Sequence, residues 1–155
     1  MTLEECIVSK LKKRKYTIAT AESCTGGLLA GRILNVSGAS DVFHEGYITY
    51  SNQAKIKLLN VKNETLKQFG AVSKETAEEM AKGMAEAADA QVALSVTGVA
   101  GPEGGTAEKP VGLIYIGCYI NGNITIKECH FSGTREENRT QSVTSALELL
   151  NIQLL

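Results

Sequence analysis

Apolar positions repeat with two periods along the chain, and the switches between them mark the elements. Leu3, Ile7 and Leu11 recur at helical spacing behind Thr2-x-x-Glu5, a capping box, so a helix opens the chain. Residues 17–21 (TIATA) read as a short strand and Leu28 to Val36 as a helix. Residues 42–50 (VFHEGYITY), rich in aromatic and β-branched side chains, read as extended. Two short helices follow, around 52–59 and 63–69. Ser73 is the N-cap candidate of a longer helix to about Ala88, with Ala77, Met80, Ala81, Met84, Ala85 and Ala88 as its apolar stripe. Residues 91–97 (QVALSVT) form a buried-type strand that ends in a glycine-rich loop, Gly98 to Gly105. A hairpin comes next, 111–120 and 123–131, turning at Asn121-Gly122, a type I′ signal. Thr134-x-x-Glu137 then opens a last helix that buries Val143, Leu147, Leu150 and Leu154.

Helices at both ends and between strands predict a sheet covered on both faces. The expected fold is therefore α/β: a single three-layer α/β/α domain over residues 1–155, with a mixed, mostly parallel sheet that includes the C-terminal hairpin. A chain of 155 residues, 43% of them hydrophobic, can bury about 68–70% of its unfolded surface without staples. The two-residue turn sets Cys118 opposite Thr125 and Cys129 opposite Ile114, so those thiols do not pair. Cys6 and Cys24 complete the set, no C-x-x-C occurs, and His44 and His130 are the only histidines. Reduced cysteines, no metal and no cofactor are expected.

Charge narrows the classes further. The net charge of −1 lacks the basic stripe of a nucleic-acid binder. The one basic cluster, Lys10 to Lys15, falls at the end of the first helix, where it complements the dipole. No window approaches the roughly 18 apolar residues of a membrane span. Glu4 and Glu5 stand where a signal peptide would carry positive charge. The expectation is a cytoplasmic protein with neither a membrane nor a nucleic-acid partner. Two-sided helical layers leave a face for self-association, and a homodimer is the expected assembly.

The strongest local chemical signal is a strand that runs into Glu22-Ser23-Cys24-Thr25-Gly26-Gly27 and then a helix. Ligands in open α/β sheets collect beyond the carboxyl ends of strands, and a helix N-terminus there presents free N–H groups. Ser23 reads either as a helix cap at a tight Gly-Gly turn or as a nucleophile with oxyanion donors nearby. The second loop, Thr97-Gly98-Val99-Ala100-Gly101-Pro102-Glu103-Gly104-Gly105, reads as a surface turn or, with the first, as the other wall of a ligand site. A serine nucleophile needs a base, and neither histidine has a visible partner. Lysine remains: Tyr50-Ser51-Asn52-Gln53-Ala54-Lys55 turns from a strand into a helix, where Tyr50 and Lys55 either face a pocket or, for Lys55, water. Cys24 is a rival nucleophile, although alternation on an extended segment points it away from the side of Ser23.

Several segments occur in one order: Ala21 to Gly27, Thr49-Tyr50-Ser51-Asn52-x-x-Lys55, Gly70-Ala71-Val72-Ser73, Thr97-Gly98-x-Ala100-Gly101-Pro102-x-Gly104-Gly105, Lys109-Pro110-Val111-Gly112 and Phe131-Ser132-Gly133-x-Arg135. Together they resemble the nicotinamide-nucleotide amidase family, the C-terminal domain of the competence-damage-inducible protein A, from about Thr17 to Leu150. The resemblance implies a three-layer α/β/α fold and metal-independent hydrolysis of nicotinamide mononucleotide to nicotinate mononucleotide and ammonia. Carried over by position, it implies Ser23 as nucleophile, Lys55 as its partner and Tyr50 as a pocket tyrosine. Thr25, Gly26 and Gly27 would supply oxyanion or substrate contacts. Thr97, Gly98, Gly101, Gly104, Gly105 and Arg135 would line the nucleotide site, with Arg139 a weaker candidate.

Two positions depart from the pattern: Thr134 stands where relatives often have Asp, and Gln53 where an acidic residue is common. Larger relatives carry an N-terminal pyrophosphatase-type domain, and the expectation here is the amidase domain alone. Lys55 is read as a neutral base or as a cation that stabilises oxyanion or phosphate. The competing functional reading is a nucleotide-binding or partner-docking module without turnover.

Overall fold

Every expected helix forms, and the sheet is built from the strands that the apolar runs mark. The computed structural model describes residues 1–155, in the order α1 (Leu3–Arg14), β1 (Ile18–Glu22), α2 (Leu28–Leu34), β2 (Tyr47–Ile48), α3 (Asn52–Leu59), α4 (Asn63–Phe69), α5 (Lys74–Ala88), β3 (Val92–Gly98), β4 (Leu113–Ile120), β5 (Asn123–His130) and α6 (Arg135–Gln153). Both capping boxes close, at Thr2–Glu5 and at Thr134–Glu137. Thr134 thus does the capping that an Asp would do, and Arg135 falls on the first helical position. Lys12, Lys13 and Arg14 occupy the last turn of α1, as the dipole argument requires. The longest departure is at 42–50. The extended backbone there pairs only at Tyr47 and Ile48, plus one isolated bridge from Phe43 to Ile18. A short 3₁₀ turn over Ala39–Asp41 precedes it, and Gly46 is pressed so closely against Thr20 and Phe43 that no side chain fits.

The sheet order is β2-β1-β3-β4-β5. β1 pairs in parallel with β2 and β3, whereas β3–β4 and β4–β5 are antiparallel. The hairpin register sets Cys118 against Thr125 and Cys129 against Ile114, and all four cysteines are free. The chain leaves β1 toward β2 on one side and reaches β3 on the other. The carboxyl end of β1 is therefore a topological switch point, where α/β sheets open a crevice.

Alternation along the central strands divides the interior in two. Ile18, Val92, Leu94 and Val96 join α1, α2 and α6 in the larger apolar cluster. Ala19, Ala21 and Ala93 face the other way, with Leu59, Leu66, Met80 and Met84 of α3, α4 and α5. Alanines on that second face let α5 lie close to the sheet. α3 in turn lies close on α5: a Cβ on Gly83 would overlap the Leu59 carbonyl.

That contact yields a stability prediction. Gly83→Ala, which would favour an isolated helix, should here cost about 1–3 kcal/mol through overpacking. Urea unfolding followed by circular dichroism measures it, and a variant as stable as the parent would refute the close approach.

Candidate active site

The turn after β1 is held by a carboxylate from inside the fold. Glu22, 1% exposed, ends the strand with its side chain on the α2 face. Its Oε1 accepts from Thr25 Oγ1 (2.6 Å) and from the Leu29 N–H (2.8 Å), and Oε2 accepts from the Ala30 N–H (3.1 Å). The N-cap itself, Gly27, has no side chain to offer, and its φ of 105° belongs to glycine. A carboxylate at a helix N-terminus satisfies orphan donors and matches the dipole. This corrects the expectation of free N–H groups at the start of α2: Glu22 has taken them. It also fixes what Thr25 can do, because its hydroxyl is committed to Glu22 and is wholly buried.

Ser23 sits one residue beyond the strand, its N–H donating to Val96 O (2.9 Å). Its side chain shares the face of Ala21, toward α3. There Lys55, 1% exposed, brings Nζ to 2.9 Å from Ser23 Oγ. Nζ also donates to Thr49 O (2.8 Å), and Tyr50 O lies at 3.5 Å. The helix that carries Lys55 is started by Ser51, whose side chain accepts from Ala54 N–H (3.0 Å). Burial pulls the Lys55 pKa down to about 8, against an opposing pull from the Cys24 thiol. Cys24 points the other way, into the larger core cluster, and burial pushes its thiol up to about 11. A buried thiol turned toward the core and disfavoured as thiolate is less well placed to attack than the Ser23 hydroxyl beside Lys55.

A cavity of about 180 Å³ opens over this pair, lined by Ser23, Cys24, Tyr50, Lys55, Ala71, Val72, Thr97, Gly98, Ala100 and Arg135. Thr97 anchors its floor by donating Oγ1–H to Ala71 O (2.8 Å). Arg135 reaches the mouth from the first turn of α6, donating Nη1–H to Gly101 O (2.8 Å) and Nη2–H to Tyr50 Oη (3.3 Å). Asn138 holds the same loop through Ala100 O (3.0 Å).

Of the residues expected at the site, Ser23, Tyr50, Lys55, Thr97, Gly98 and Arg135 line one cavity, and Gly101 contacts it through Arg135. The side chain of Thr25 is buried on Glu22 and the residue does not line the cavity; nor do Gly26, Gly27, Gly104 and Gly105, of which Gly26, Gly104 and Gly105 are exposed. Both histidines are exposed and outside the lining, with His130 Nε2 2.7 Å from Glu128 Oε2. Sequence reasoning did not assign roles to Glu22, Thr49, Asn138, or the cavity-lining Ala71, Val72 and Ala100. Most of them lie within the segments that carry the resemblance, but Asn138 offered no signal beyond its place on the first turns of α6.

Comparison with known proteins agrees with this architecture. The family model described as the CinA C-terminal domain matches residues 1–154. A Clostridium botulinum (strain Loch Maree / Type A3) protein named for competence-damage induction is 56% identical over 154 residues, which is 99% of this chain and 38% of the relative. The chain thus spans less than two fifths of the length of the curated relatives it matches. Among solved structures, the competence/damage inducible protein CihA from Agrobacterium tumefaciens superposes with a TM-score of 0.93 at 43% identity, covering 98% of this chain and 94% of that one. The competence or damage-inducible protein from Enterobacter asburiae gives 0.96 at 32% identity, over 99% and 96%. With the match running the length of the chain and the fold shared throughout, this chain belongs to the CinA C-terminal domain family.

Proposed function

We propose that this domain hydrolyses the carboxamide of nicotinamide mononucleotide, releasing ammonia and nicotinate mononucleotide, with Ser23 as nucleophile and Lys55 as its proton acceptor. The single observation that carries the reading is the buried Lys55 amine 2.9 Å from Ser23 Oγ. A lysine with its pKa near 8 is partly neutral at physiological pH, and a neutral amine can accept a hydroxyl proton.

In this mechanism Ser23 Oγ attacks the carboxamide carbon as its proton passes to Lys55 Nζ. The tetrahedral oxyanion collapses, the C–N bond breaks, and Lys55 returns the proton to the leaving nitrogen as ammonia departs. Water then attacks the ester on Ser23, again losing a proton to Lys55. Collapse of that intermediate frees the carboxylate and reprotonates Ser23. Thr49 O accepts from the amine in either state, so the base keeps its position through the cycle.

The cavity volume supports a ring rather than a whole nucleotide, since at about 180 Å³ it is smaller than the usual 300–1,000 Å³ of ligand pockets. The pyridine carboxamide fills it, and the ribose and phosphate rise past Tyr50, whose ring is 65% exposed at the mouth. Arg135 beside it offers a guanidinium edge to phosphate.

Ammonia release from nicotinamide mononucleotide by the purified protein tests the reading. Ser23→Ala should lower kcat by about 10⁴-fold and Lys55→Met by about 10²–10⁴-fold. No turnover by the intact protein, with the nucleotide still bound, would leave a binding module instead. The kcat/KM of the parent should climb with pH to a midpoint near 8, and a flat profile would assign Lys55 the role of a fixed cation.

The same proton should register in stability. Because folding lowers the Lys55 pKa, the unfolded chain holds more protons between about pH 8 and 10.5, and stability rises with pH across that window. Relative to Lys55→Met, the parent should gain about 3 kcal/mol between pH 7 and 10.5. Chemical unfolding at several pH values measures this, and parallel curves for the two proteins would exclude a buried, depressed amine.

A further inference from the structure

Arg139 lies one turn beyond Arg135 on α6, yet its guanidinium is not part of the cavity lining. It donates Nε–H to Cys24 O (2.9 Å) and Nη2–H to Thr25 O (3.3 Å), so it grips two successive carbonyls of the loop that carries Ser23. In a trans peptide the C=O and the following N–H point in opposite directions. The Cys24 carbonyl shares its plane with the Thr25 N–H. With the carbonyl drawn toward α6, on the α1/α2/α6 face, that N–H is aimed at the opposite side, where α3 presents Lys55 to Ser23.

Thr25 is otherwise spoken for. Its hydroxyl donates to Glu22 Oε1 (2.6 Å), and its carbonyl accepts from the Leu28 N–H (3.0 Å) as well as from Arg139. The next amide, of Gly26, donates back to Ser23 O (3.2 Å). The Thr25 N–H has no protein acceptor, although the residue is completely buried. Buried amides without partners are rare. An unpaired backbone N–H close to the attacking serine is the kind of donor that can stabilise charge developing on the attacked carbonyl oxygen.

We propose that Arg139 is a positioning residue that aims the Thr25 N–H at the oxyanion of the tetrahedral intermediate formed on Ser23, and is not a ligand for the substrate phosphate. The inference rests on the serine–lysine amidase reading, and Arg139 acts through the backbone without touching substrate. Lysine is not equivalent there, because its shorter side chain ends in one nitrogen where Arg139 places two, Nε on Cys24 O and Nη2 on Thr25 O.

The test measures ammonia release from nicotinamide mononucleotide by the parent, Arg139→Lys, Arg139→Ala and Ser23→Ala, with kcat and KM separated and the pH profile recorded. Loss of an aimed oxyanion donor should lower kcat by about 10²-fold in both Arg139 variants, with KM near that of the parent. The pH midpoint should stay where it was, since the Ser23–Lys55 pair is intact. Millimolar guanidinium should restore part of kcat in Arg139→Ala and nothing in Ser23→Ala. A raised KM with kcat preserved would make Arg139 a substrate ligand and overturn the proposal. So would a loss of activity that tracks a lowered melting temperature in both variants, with no rescue by guanidinium. A parent without turnover would remove the amidase reading itself, and the role of Arg139 with it.

Discussion

The burial of one amine organises this domain. A charged lysine in the interior is costly unless it is paired, and Lys55 has no carboxylate beside it. It has a carbonyl, Thr49 O, and a hydroxyl, Ser23 Oγ. The environment therefore weakens the charged form and leaves an amine that can take up a proton. For that to hold, α3 must seat Lys55 against the end of β1, and the connection from β2 must deliver Thr49 to the same place. The sheet order achieves this by setting β2 beside β1 at the switch point.

The two faces of the sheet divide the labour. The face of α3, α4 and α5 supplies Lys55 and one wall of the cavity, and its alanine-lined strands bring those helices close. The face of α1, α2 and α6 supplies rigidity to the loop that carries Ser23. Glu22 ties that loop to α2, and Arg139 ties it to α6, through different groups of the same few residues. Ser23 sits where these restraints meet.

Much of the fold could be read from periodicity and caps. Ser51, Ser73 and Thr134 each stop a strand or loop and start a helix, and α3 and α4 run over the residues that the pattern marks. The β2 region was harder, because aromatic and β-branched content reports a preference for extended backbone and not whether a partner strand is present. The site was legible in its motifs and opaque in its periodicity. On α3, Lys55 is buried while Ile56 and Leu58 are 37% and 39% exposed, the reverse of what hydrophobicity assigns. The cap that Glu22 provides reaches seven residues ahead to Leu29, beyond any i, i+3 signature. Arg139 meets its carbonyls across more than a hundred residues, a pairing that only the packed structure reveals.

The first two turns of α6 hold two loops of the site, Arg135 and Asn138 the one over Ala100 and Gly101 and Arg139 the one after β1, and Arg135 also reaches Tyr50. During synthesis the ribosome releases β1 and its loop long before these residues, and the intervening strands precede them too. Until α6 emerges and docks, the Cys24 and Thr25 carbonyls lack their guanidinium, and the loop over Ala100 and Gly101 lacks its anchors. The larger core cluster, too, waits for Val143, Ala146, Leu147 and Leu150 of that helix. The site is completed only when α6 docks, so a chain cut short before α6 would carry the chemical groups without their setting.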